Sequence, residues 1–90
     1  MDTVDVKEIL RRIKLADRRT GNYDDENLTI LIEMVIADLK RYGVPENVLM
    51  SNVSIGTIAL GVWERDNLKK YTSDFYNEAA SLREVRLESE

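Results

Sequence analysis

Hydrophobic residues recur along this chain every three or four positions, and the pattern breaks at a few well-punctuated places. Val6, Ile9, Leu10 and Ile13 fall at the i, i+3, i+4, i+7 spacing of one helical face, which predicts a first helix from about Thr3 to Leu15. Two registers are open for its start. Asp2 or Thr3 can cap it, or Asp5 can cap it with Glu8 completing a capping box and Val4 stapling onto Ile9. A polar connection follows from Ala16 to Asp24, with Thr20-Gly21-Asn22 as its turn signal. The second helix is expected from Asp25 to Tyr42. Leu28, Ile32, Val35 and Leu39 make its stripe, and Leu31 and Ile36 widen it. Asp24, Asp25 and Glu26 at its start and Lys40 and Arg41 at its end complement the helix dipole. Gly43 suits the left-handed stop after the last turn, and Pro45 follows it.

Pro45 is a good first residue for one further turn, Glu46 to Met50, after which Ser51 or Asn52 can cap a third helix from Val53 to Arg65. Ile55, Ile58, Ala59, Val62 and Trp63 supply its apolar face. Gly56 and Gly61 each cost about 1 kcal/mol inside a helix, tolerable where another backbone passes close. A strand over Val53 to Val62 is the rival, but the apolar residues there do not alternate. Asp66 to Thr72 reads as a loop. Thr72 or Ser73 then caps a last helix from Asp74 to Val85, where Phe75, Ala79, Leu82 and Val85 repeat at helical spacing. The fold class is therefore all-α, a compact bundle of about four helices with a short extra turn before the third. It forms a single domain over residues 1–90, with 1–2 and 87–90 expected to fray. The expected core is Ile9, Ile13, Leu28, Leu31, Ile32, Val35, Leu39, Ile58, Val62, Trp63, Phe75 and Leu82.

Composition narrows the function classes. A chain of 90 residues buries a small core, so assembly with neighbours would add stability. Cysteine and histidine are both absent, which removes disulfides, thiolate and imidazole metal ligands, the usual general base and the thiol nucleophile. No enzyme and no cofactor is expected. The glycine spacing Gly56 to Gly61 imitates a phosphate loop, but Val62 and Trp63 follow where Lys and Ser/Thr are needed. Asp24, Asp25 and Glu26 lack the spacing of a calcium loop and are explained by the helix start. The acidic N-terminus has no signal-peptide core and no apolar run reaches the ~20 residues of a membrane span, so an intracellular protein is expected. In that setting the sequons at Asn27 and Asn52 carry no meaning.

A net charge of −4 argues against nucleic acid as the main ligand. Lys7, Arg11, Lys14 and Arg18 nevertheless share one face of the first helix, opposite its apolar stripe. That face is a solvated surface, a contact for an acidic protein, or a contact for DNA. The opposite charges of the first two helices suggest a head-to-tail contact in which Arg11, Lys14 and Arg18 meet Asp24, Asp25 and Glu26 of an adjoining copy. Trp63, Tyr71, Phe75 and Tyr76 cluster in sequence. Trp63 and Phe75 are assigned to the core, while Tyr71 and Tyr76 are candidate partner-binding residues.

The order of these pieces resembles the small head–tail connector proteins of tailed bacteriophages and prophages. Val6-Lys7-Glu8-Ile9-Leu10-Arg11-Arg12-Ile13 is similar to that family's opening helix. Asp24-Asp25-Glu26-Asn27-Leu28 followed by Leu31-Ile32-Glu33 resembles the entry to its long second helix. The stop at Tyr42-Gly43, the Val44-Pro45 lead, the Ala- and Ile-rich third helix, and the last helix from Phe75 to Leu82 extend the likeness over residues 3–86. The chain departs from the family in its longer, basic-tinged loop from Asp17 to Tyr23 and in the glycines of its third helix. The resemblance implies a structural adaptor of the virion neck, made in the host bacterial cytoplasm. Its copies would form a ring between the portal and the tail or neck proteins, with genomic DNA passing through without specific binding. A small helical DNA-binding or regulatory protein is the alternative.

Overall fold

The computed structural model describes residues 4–16 and 23–87, and every regular element among them is helical. In chain order they are α1 (Val6–Ala16), α2 (Asp25–Tyr42), α3 (Glu46–Leu49), one 3-10 turn (Asn52–Ser54), α4 (Ile55–Asn67) and α5 (Ser73–Arg83). The all-α bundle with a short extra turn before its third long helix is what forms. The turn expected at Thr20-Gly21-Asn22 and the basic residue Arg18 lie outside the described residues.

Local chemistry fixes each boundary. The Asp5 carboxylate accepts the Glu8 backbone N–H at 3.2 Å, which selects the Asp5 register for α1, and Val4 is buried ahead of it. Only half of a capping box forms, because the Glu8 carboxylate is taken by Arg11 and Arg12. Asp24 caps α2 by accepting from the Asn27 N–H at 2.8 Å. At the other end Gly43 adopts φ 106°, its N–H reaches Lys40 O and the Val44 N–H reaches Leu39 O, both at 3.0 Å. That pair of bonds is a Schellman stop, and Val44 and Leu39 are both buried beside it. The fully buried Ser54 hydroxyl lies 2.7 Å from Leu49 O, so it ties the end of α3 to the start of α4.

The core sits between α2 and α4, with α1 closing one side and α5 another. Ile9, Ile13, Leu28, Ile32, Val35, Leu39, Ile58 and Val62 are fully buried, and Phe75 and Leu82 nearly so. Two expected core residues are corrected. Leu31 sits on the flank of α2 and is half-buried at the edge of a cleft. Trp63 follows the buried Val62 by about 100° around α4 and is also half-buried. The glycines divide as well. A Cβ on Gly61 would stand 2.7 Å from the Phe75 ring and 2.8 Å from a Val35 methyl, so side chains rather than backbone require the gap. A Cβ on Gly56 would meet nothing within 4 Å.

The junction of α4 and α5 holds a buried carboxylate. Glu64 is 4% exposed and accepts from the Thr72 N–H at 2.8 Å and the Thr72 hydroxyl at 2.5 Å. Thr72 occupies the N-cap position of α5, yet its own side chain caps nothing. Glu64 instead satisfies the N–H of the N-cap residue itself from the preceding helix, where negative charge also suits the α5 dipole.

Candidate interaction surfaces

Among the described residues no group of three or more carboxylates is placed to hold a metal ion, and no helix is long and apolar enough to cross a membrane. No buried side-chain nitrogen or oxygen lacks a partner there. The buried polar groups Ser54, Thr57 and Glu64 are committed to joining helices. Thr57 does so by donating to the Glu78 carboxylate at 2.9 Å. What the fold leaves open is its surface, and three regions of it stand out.

The first is a cleft where the flank of α2 meets the α4–α5 junction. Asp38 on α2 is its hub and accepts hydrogen bonds from Arg41, Arg65 and the Tyr71 hydroxyl. Tyr71 stacks on Phe75 at 4.0 Å and meets Tyr76 edge-on at 6.0 Å, and Arg65 lies 5.8 Å from its ring centre. Tyr42 at the end of α2 contacts Tyr76 at 5.9 Å and carries Arg83 over its ring at 5.2 Å. Two adjoining hollows of about 520 and 390 Å³ open here, sharing Arg65, Tyr71 and Tyr76. Burial first, and then the bond to Asp38, pushes the Tyr71 hydroxyl up to about 12. Neighbouring Tyr23 donates to Asp66 at 2.8 Å and is raised by burial and by that bond, which fastens the start of α2 to the end of α4. Lys69 in the connecting loop holds φ 61°, and its ammonium caps α4 by donating to Asp66 O at 2.7 Å.

The second region is the end of α1. Leu15 is 76% exposed and lines a hollow of about 430 Å³ with Arg11, Arg12 and Ile55, and Val53 in the 3-10 turn is 52% exposed. Arg11 and Arg12 both grip Glu8, at 2.6 and 2.8 Å, and they hold its carboxyl down at about 2. Arg12 also donates to Met50 O at 2.6 Å, so it serves the fold. Lys14 pairs with Asp25 at 2.6 Å. The contact expected between copies, Lys14 to Asp25, is therefore made within one chain. Asp24 is likewise engaged as the α2 cap. Both acids thus already have a partner within the chain.

The third region is the face of α2 turned away from the core. Glu26, Ile30, Glu33 and Ala37 follow one stripe there, all exposed, and Ile30 is 49% open. The sequence points to Tyr71 and Tyr76 of the cleft but not to Tyr42, Ile30, Leu15, Asp38 or Arg65. Ile30 was legible as the one large apolar residue diametrically off the Leu28–Leu39 stripe. Asp38 and Arg65 carried no signal, because their pairing depends on how α2 and α4 cross. No family model, curated protein or solved structure matches the chain. The functional reading rests on its own surfaces.

Proposed function

We propose that this chain is a structural adaptor whose copies join side to side into a closed ring, of the kind formed by the head–tail connectors of a phage neck. One observation carries the reading: two unlike apolar patches, of opposite local charge, stand exposed on separate parts of the molecule. Leu15 projects from α1 beside Arg11 and Lys14, while Ile30 lies between Glu26 and Glu33 on the outer face of α2. A ring needs a patch and a different, complementary patch on each copy, whereas a two-fold dimer needs one self-complementary patch. Of the acids at the start of α2, Asp24 and Asp25 already have partners within the chain, and Glu26 with Glu33 supplies the acidic side. The all-helical fold and the order of its helices agree with the connector resemblance. The hold of Glu8 on Arg11 and of Asp25 on Lys14 supports a protein contact over duplex DNA, since both cations are already partly neutralised.

The test uses two variants, Leu15→Asp and Ile30→Asp, with native mass spectrometry as the readout. Each variant alone loses the ring. Mixed together they form a one-to-one heterodimer, because one intact patch survives on each. A ring that persists in both variants contradicts the reading, as does a mixture that stays monomeric.

A further inference from the structure

We propose that the cleft between α2 and the α4–α5 junction is a second docking site, which takes an acidic segment of a partner protein bearing one large apolar side chain. This goes beyond the ring contact, which uses other surfaces. The chain as a whole carries −4, yet this corner is locally basic. Arg65, Lys69 and Lys70 line the larger hollow, against Asp66 as its one acid. Both nearby carboxylates are occupied from within, Asp66 by Tyr23 and Asp38 by Arg65 and Tyr71. Lys70 is exposed along the lining of the hollow and forms no ion pair among the described residues, so an incoming carboxylate meets a cation there.

The floor is apolar, and its tyrosines are held by contacts within the chain. Leu31, Met34, Tyr71 and Tyr76 form that floor, with Tyr76 45% and Met34 37% exposed. A hollow of about 520 Å³ is large enough for an aromatic or leucine side chain. Stacking and the Asp38 hub hold the tyrosines before anything binds, so little ordering cost attaches to docking. The same stacking disfavours a nucleic-acid strand. One face of Tyr71 is covered by Phe75, and Arg83 covers a face of Tyr42, so bases find few open platforms.

Fluorescence anisotropy on the full chain tests the proposal. The probe is a short labelled peptide with one phenylalanine flanked by aspartates and glutamates. The controls are the same peptide with alanine for phenylalanine, one with lysines for the acids, and a labelled oligothymidylate. The acidic phenylalanine peptide binds, and both Tyr76→Ala and Lys70→Glu weaken it by about tenfold, as expected for losing an anchor or its charge. Circular dichroism confirms that both variants stay folded; Lys70→Glu alters only an exposed side chain. Equal binding of the alanine control, insensitivity to both variants, tighter binding of the oligothymidylate, or no binding overturns the proposal. So does loss of ring assembly in Tyr76→Ala, which would make a second copy the occupant. Rings that form normally without peptide binding would remove this site and leave the adaptor reading standing.

Discussion

Gly56 and Gly61 look alike in the sequence, both inside the expected third helix, but Gly56 falls in the first turn of α4 and Gly61 in its middle, and they differ in what surrounds them. Gly56→Ala should stabilise the protein by up to about 1 kcal/mol, since the new methyl meets open space and helix propensity rises. Gly61→Ala should destabilise it, by about 1–3 kcal/mol less the propensity gain, because the methyl collides with Phe75 and Val35. Urea denaturation of the pair separates the two, and similar midpoints would contradict the packing described. Tyr71 gives a second check at this scale. Its hydroxyl is raised from 10.0 to about 12, so the folded state keeps a proton that the unfolded chain releases. Its contribution to stability is present below pH 10 and is lost as pH rises through 12. Ultraviolet titration should show late-ionising tyrosine absorbance, to which Tyr23 also contributes, that shrinks in Tyr71→Phe; a high-pH titration unchanged by that substitution would contradict the Asp38 hub.

Among the elements, legibility followed the range of the interaction. The bounds of α2 match expectation at both ends, because Asp24 as cap and Gly43 as stop act within one turn. The start of α5 does not reduce to such rules. Thr72 sits at the cap position as its sequence suggests, but the acceptor is Glu64, eight residues earlier on another helix. Leu31 was misplaced for a related reason: periodicity put it near the buried stripe of α2, and only the position of α5 leaves that flank open as a cleft. Glu64→Ala should therefore cost about 1–3 kcal/mol, by leaving the α5 terminus without its acceptor. Hydrogen exchange locates the damage, with α5 amides exchanging faster while those of α2 are little changed. Uniform acceleration across the chain would mean that Glu64 supports the whole bundle rather than one junction.

For the whole molecule, the surface divides by charge and shape more than composition suggests. An acidic chain presents a basic aromatic cleft at one end of α4. Its mixed apolar and basic patch lies by the other end, and Ile55 and Arg65 are about 15 Å apart along that helix. The acidic outer stripe of α2 completes the set. Charge clustering in α1 and its partial neutralisation by Glu8 are visible in the sequence, but the pairing of Lys14 with Asp25 is not, since it spans two helices. Separate surfaces of opposite sign suit a part that joins neighbours and holds a further protein. The most direct test of that central claim is native mass spectrometry of the unaltered chain over a wide concentration range. The account predicts a closed ring of several copies with few open intermediates. A species that stops at a two-fold dimer, or a monomer up to the highest attainable concentration, would contradict it.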